Sequence, residues 1–212
     1  MEKLTKSQQL ASYVGSQAAY LAHGVIQGRG NALARLAILR RGAGKSWRQA
    51  PDAWMEVLNP VNDGEGNYRA FPEELLSSGE YLTREERAAF TALTLFAIHQ
   101  QSQIKPMHYH PEGKRGVSFG YAAGQLVART SASMKNRFDA VLKARDEKVL
   151  SAHLRTLVQL LRSEELSMDY GRLAADYARL INPERRDSVI LSWTRDFASG
   201  YRKVTTTQKE EN

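Results

Sequence analysis

Apolar residues recur at helical spacing along most of this chain, and no alternating segment flanked by hairpin turns suggests a strand. From residue 83 onward the pattern is regular. Thr83-Arg-Glu-Glu86 reads as a capping box, with Thr83 accepting a backbone N–H and Glu86 reaching back to that of Thr83. Phe90, Leu93 and Ala97 follow it up to about Gln101. Leu150, Leu154, Leu157, Val158 and Leu161 form one amphipathic stripe, and Tyr170, Leu173, Ala174, Tyr177, Leu180 and Ile181 form another behind an Asp169 cap. Asn182-Pro183 reads as an N-cap followed by proline in the first helical position, ahead of Val189, Ile190, Trp193 and Phe197. Met134, Phe138 and Val141 or Leu142 supply the buried side of one more helix, capped by Ser133 or Ser131.

The N-terminal half is also helical, with longer interruptions. Residues 7–26, 31–41 and 47–58 read as helices, separated by Gly28-Arg-Gly30, Gly42-Ala-Gly44 and Asn59-Pro60. Residues 59–82 read as a loop with one short helix, and 102–117 as a second loop. The expected fold is all-α: an N-terminal helical subdomain over 1–105 and a C-terminal bundle of four or five helices over 113–204. The loop at 102–117 is the seam between them, and 205–212 reads as a disordered tail.

Composition narrows the chemistry. The 212 residues include no cysteine, which excludes disulfides, thiolate metal sites, iron–sulfur clusters and a cysteine nucleophile. The most apolar stretch, Ala92 to Ile98, is far shorter than the ~20 residues of a spanning helix. The N-terminus lacks the apolar core of a signal peptide. The expectation is a cytoplasmic protein with no membrane contact.

Net charge is +7, but its distribution says more. Residues 3–51 carry eight basic side chains and no acid; residues 52–98 carry nine acids against three basic residues. Residues 99–138 turn basic again, with six cations against Glu112 alone, and 139–212 are near balance with thirteen against twelve. Long acid-free stretches are suited to a polyanion. The candidate nucleic-acid-binding residues are Arg35, Arg40, Arg41, Lys45 and Arg48 in the first basic stretch. Lys114, Arg115, Lys135 and Arg137 follow in the second, with Lys143 and Arg145 just beyond it. Arginine offers a planar fork to phosphate and lysine a point charge. No pattern resembles a recognition helix, so backbone contacts without base reading are expected.

Other candidate chemistry is thin. Gly42-Ala-Gly-Lys-Ser46 ends like a phosphate-binding loop, but Leu39 occupies the place of the required first glycine and the preceding residues read as helix. His99, His108 and His110 could be drawn as the metal site of a phosphodiesterase. Their spacing is not that of a helical ligand pair, and the only acid nearby in sequence is Glu112. They read instead as anchors for a loop or as phosphate contacts. No catalytic residue, metal or cofactor is expected. One reading of the basic stretches is a stand-alone helical DNA-binding regulator or architectural protein.

Blocks along the chain carry a resemblance. Leu36-Ala-Ile-Leu-Arg-Arg-Gly42, Phe96-Ala-Ile-His-Gln-Gln-Ser102, Met107-His108 and Gly116-Val-Ser-Phe-Gly120 come first. Arg137 to Arg145, His153 to Arg162, Leu166-Ser-Met-Asp-Tyr170 and Trp193-Thr-Arg-Asp-Phe197 continue in order. Together, over roughly residues 30–200, the sequence resembles CasB, the small subunit of the type I-E CRISPR surveillance complex Cascade. The resemblance implies an all-α, non-enzymatic protein that lies as a dimer along the belly of that complex. Its partners would be the other Cascade subunits, crRNA and target DNA. It would steady the target strand and hold the displaced strand of the R-loop. Arg40 and Arg41 match the paired arginines of the family's first block, and Arg137 the arginine opening its central block. The remaining cations are an extension from charge clustering. Tyr121 stands where the family commonly has another cation, so no contact carries over there.

Overall fold

A computed structural model describes residues 4–62, 68–111, 113 and 115–210. Among them run nine α-helices: α1 (Lys6–Ile26), α2 (Gly30–Gly42), α3 (Pro51–Leu58), α4 (Arg84–Gln100), α5 (Phe119–Arg129), α6 (Lys135–Lys143), α7 (Glu147–Ser163), α8 (Tyr170–Leu180) and α9 (Arg186–Glu210). The fold is all-α. The only ladder among the described residues is a short antiparallel pair, Val61–Asn62 against Tyr68–Arg69. No helix among them is long and apolar enough to cross a membrane.

Helix α4 is the axis of the core. It is buried on nearly every side from Ala88 to Gln100 and packs against α1, α2, α3, α7 and α8. Its start is the expected capping box: Thr83 Oγ1 accepts from the Glu86 N–H at 3.0 Å, and Glu86 Oε2 accepts from the Thr83 N–H at 2.7 Å. Glu86 is itself buried, and its carboxylate also accepts the Ser77 N–H, tying the preceding loop to the helix. The stripes of α7 and α8 are buried as their periodicity requires, and Asp169 caps α8 by accepting from the Arg172 N–H.

One continuous apolar core runs from Leu10 to Trp193, and α1 lies directly on α8. The loop at 102–117 is stitched to the α7–α8 connection. Tyr109 N–H donates to the Met168 carbonyl, Met168 N–H to that of Met107, and Asp169 N–H to that of Val117. Gln100 holds the near end, its side-chain oxygen accepting the Met107 N–H at 2.8 Å.

Three local expectations need correction. Residues 47–58 are not one helix: Pro51, which lacks an N–H and disfavours helical geometry before it, forces Ala50 to φ −141°, ψ 61°. A 3₁₀ turn at Trp47–Gln49 therefore precedes α3. Asn182-Pro183 opens a turn, and α9 begins only at Arg186, whose N–H donates back to the Asn182 carbonyl. The 205–212 segment is helical through Glu210 as the last turns of α9, while residues 211–212 lie outside the described residues.

Candidate nucleic-acid interface

The α2–α3 connection and helix α7 face each other across a cleft of about 360 Å³. On one side, α2 ends at Gly42 and the chain turns through Gly44, at φ +80°, so that Lys45 and Trp47 line the opening. On the other, Lys148 and Ser151 of α7 line the cleft. Arg155, one turn further along, reaches Gly44: a β-carbon there would stand 3.1 Å from Arg155 Nη1. Lys45, Lys148 and Arg155 are exposed, and none makes an ion pair among the described residues. Cations from the first basic stretch and from the balanced C-terminal part thus converge.

The inner wall is Leu82, Phe90 and Tyr177, with a polar cluster beside them. Arg87 Nη1 donates to Glu147 Oε2 at 2.6 Å, and the Tyr177 hydroxyl donates to Glu147 Oε1 at 3.4 Å. Burial, aided by the Glu147 carboxylate, pushes the Tyr177 hydroxyl far above its ordinary value, so it remains a donor. Next to Trp47, the Arg48 guanidinium lies 5.0 Å from the centre of that ring and 5.8 Å from that of Tyr81.

The other candidate cations are distributed. Arg40 and Arg41 are exposed in the last turn of α2, where they also complement the helix dipole. Arg40 borders a separate groove with Ile26, Leu33 and Ile104, away from Lys45. Arg115 lines a third groove, with Ser12, Ser16, His110 and Arg172. Arg137, Lys143 and Arg145 are exposed around α6 and its exit and make no ion pair among the described residues. Lys114 lies outside the described residues.

The structure places two of these cations in ion pairs. Arg35 is not a surface cation. It bonds Glu56 Oε2 at 2.7 Å and also donates to Gln17 Oε1 and to the carbonyls of Glu56 and Asn59. It ties α1, α2 and α3 together through Nε and Nη2. Lys135 is paired with Asp139 one turn on, at 2.8 Å. That pair is exposed and so worth little, but it cancels the charge locally.

The histidines anchor structure. His99 Nδ1 and the Tyr170 hydroxyl are hydrogen-bonded at 2.9 Å inside the core. His108 Nδ1 accepts the Tyr170 N–H at 3.1 Å, and His110 Nδ1 bonds Asp169 Oδ2 at 2.6 Å. The acid that holds His110 is Asp169, the cap of α8; Glu112, the acid nearest in sequence, lies outside the described residues. Among the described residues no group of three His, Asp or Glu is arranged to hold a metal ion.

Lys148 and Arg155 are the residues that sequence reading missed. With Ser151 they lie at i, i+3 and i+7, one stripe of α7 beside its buried leucines. Counting charge over residues 139–212 averaged that stripe against acids on other faces.

An all-α core that holds its cleft between an N-terminal turn and a C-terminal helix defines a class of small helical protein with a cationic, aromatic-lined hollow. The chain belongs to the CRISPR-associated protein Cse2 family, whose model matches residues 35–197. It is similar to the crystal structure of CasB from Thermobifida fusca, with 30% identity, a TM-score of 0.68, and coverage of 92% of this chain and 99% of that one. It also shares its fold with a chain of a CRISPR RNA-guided surveillance complex, at 22% identity and a TM-score of 0.59, with the same coverage of both chains. No curated protein matches it as a relative.

Proposed function

We propose that this chain is the small, non-catalytic subunit of a type I-E Cascade complex. There it binds nucleic-acid backbone without reading sequence and stabilises the R-loop. The observation that carries this reading is the convergence on one cleft of Lys45, Lys148 and Arg155, none of which makes an ion pair among the described residues. Membership of the Cse2 family and the likeness to a surveillance-complex chain support it. Its partners in this reading are the other Cascade subunits, crRNA, target DNA and a second copy of itself, all in the cytoplasm.

The mechanism is electrostatic. Exchanging a DNA duplex for an RNA–DNA heteroduplex is close to balanced, so contacts to the strands decide whether the loop stays open. Cations along the cleft lower the free energy of a separated strand and so raise the barrier to re-annealing. Arg40 and Arg41, Arg115, and the cations around α6 extend the same attraction over neighbouring surfaces.

The test is the R-loop lifetime of the assembled complex carrying Lys45→Glu with Lys148→Glu, beside one carrying Arg40→Glu with Arg41→Glu. Both complexes should assemble normally and lose the R-loop faster, the first pair more than the second. Normal assembly with unchanged lifetimes for both pairs would overturn the reading.

A further inference from the structure

The cleft between the α2–α3 connection and α7 is more than a cationic surface. A site built for phosphate alone needs only charge on an open face, and this one has depth and an aromatic lining. Its volume, about 360 Å³, falls among pockets that hold small organic ligands, ~300–1,000 Å³. Trp47, Leu82 and Phe90 form apolar walls, and Trp47 is only partly buried by the core behind it. Beside Trp47, which lines the cleft, the Arg48 guanidinium lies within cation–π range of both the Trp47 and Tyr81 rings, and Tyr81 is 74% exposed. Flat rings joined by a guanidinium make a surface on which bases stack.

The polar groups match the same ligand. Arg87, Glu147 and the Tyr177 hydroxyl offer donors and acceptors at the inner wall, where the edge of a base would arrive. Arg87 Nε is buried without a hydrogen-bond partner among the described residues, an unmet donor on a residue that lines the cleft. Lys45 and Lys148 border the opening, with Arg155 beside Gly44. Apolar walls, a polar inner edge and a cationic rim together fit a nucleotide unit, flat and apolar in its base and anionic in its phosphate.

We propose that this cleft takes in one unstacked base of a single strand, among Trp47, Leu82 and Phe90, while Lys45, Lys148 and Arg155 hold the flanking phosphates. The proposal rests on the nucleic-acid reading above and adds to it a base contact that is tolerant of sequence. Inserting a base fixes the strand in register on the subunit, which backbone charge alone does not do.

The experiment compares the full chain's binding of a single-stranded oligonucleotide with its binding of an abasic strand of equal length, at low salt. The strand with bases should bind about tenfold more tightly or better, the range expected of one stacked base. Trp47→Ala should erase that preference and leave abasic binding unchanged, whereas Trp47→Phe, which keeps a flat ring, should preserve it. Lys148→Ala should weaken both strands alike. Equal binding of the two strands by the unaltered chain would overturn base insertion and leave the backbone reading standing. So would a preference that survives Trp47→Ala. A nucleoside monophosphate that competes at the strand's own affinity would make the cleft a free-nucleotide site and overturn insertion from a strand. Failure to bind either strand would remove the backbone reading and this inference together.

Discussion

His99 sits inside the core between α4 and α8, its ring against Tyr170, and burial holds its pKa down from 6.5 to about 3. The folded protein keeps it neutral where an unfolded chain would take up a proton. Its contribution is therefore whole above about pH 6.5 and is lost progressively as pH falls towards 3. His108 acts in the same direction. Burial lowers its pKa, and acceptance of the Tyr170 N–H at Nδ1 leaves its proton on Nε2. A tenfold change in proton affinity is worth ~1.4 kcal/mol, so the effect of His99 alone is a few kcal/mol. The urea midpoint should fall across that window. His99→Gln, which keeps a polar group for the Tyr170 hydroxyl but cannot titrate, should flatten the fall. An equally steep fall in the variant would show that other groups carry it. Arg35 teaches the complementary lesson: a cation in an acid-free stretch was spoken for by Glu56 and backbone carbonyls that only folding brings near.

At the scale of elements, the pairing of α5 with α9 is the least legible part of the fold. Helix α5 is rich in Gly120, Ala122, Ala123 and Gly124, and a pattern of large apolar residues cannot register it. Its logic is close approach. A β-carbon at Gly120 would strike the backbone of Trp193, at Gly124 that of Phe197, and at Gly200 that of Tyr121. Gly124→Ala should therefore destabilise the protein by about 1–3 kcal/mol, because neither backbone can yield without moving a whole helix. Gly30→Ala, at a position with open space around it, should be neutral or mildly stabilising. Equal unfolding midpoints for the two variants would contradict this account. Some local rules held as read: Thr83 with Glu86, and Asp169 before α8, announce their helices because caps depend on neighbours three residues away.

At the scale of the whole molecule, the charge bias becomes a surface only through packing. Lys45 and Lys148 are far apart in sequence and share a cleft because α4 brings the α2–α3 connection and α7 to the same side of the core. If single strands are held there, each phosphate contact adds roughly 0.7 to the slope of log affinity against log salt. Replacing Lys45, Lys148 and Arg155 together with alanine should reduce that slope by about 2, as read by titrations of the full chain at several salt concentrations. An unchanged slope would move the polyanion to other cations, with Arg115 and the α6 residues next in line.

What the amino-acid order settled unaided lies in patterns that repeat or act locally. The all-α class, the stripes of α7 and α8, the capped starts of α4 and α8, and the family resemblance all live in spacings of a few residues. The acid-free stretches were visible too, as a tendency without an address. Folding supplied the address. It paired Arg35 with Glu56 and Lys135 with Asp139, gathered the buried apolar residues into one core, drew Asp169 to His110, and set Lys148 and Arg155 opposite Lys45. The reason is geometric: a helix sorts its own residues by angle, but which stripes meet across a cleft depends on how separate helices pack.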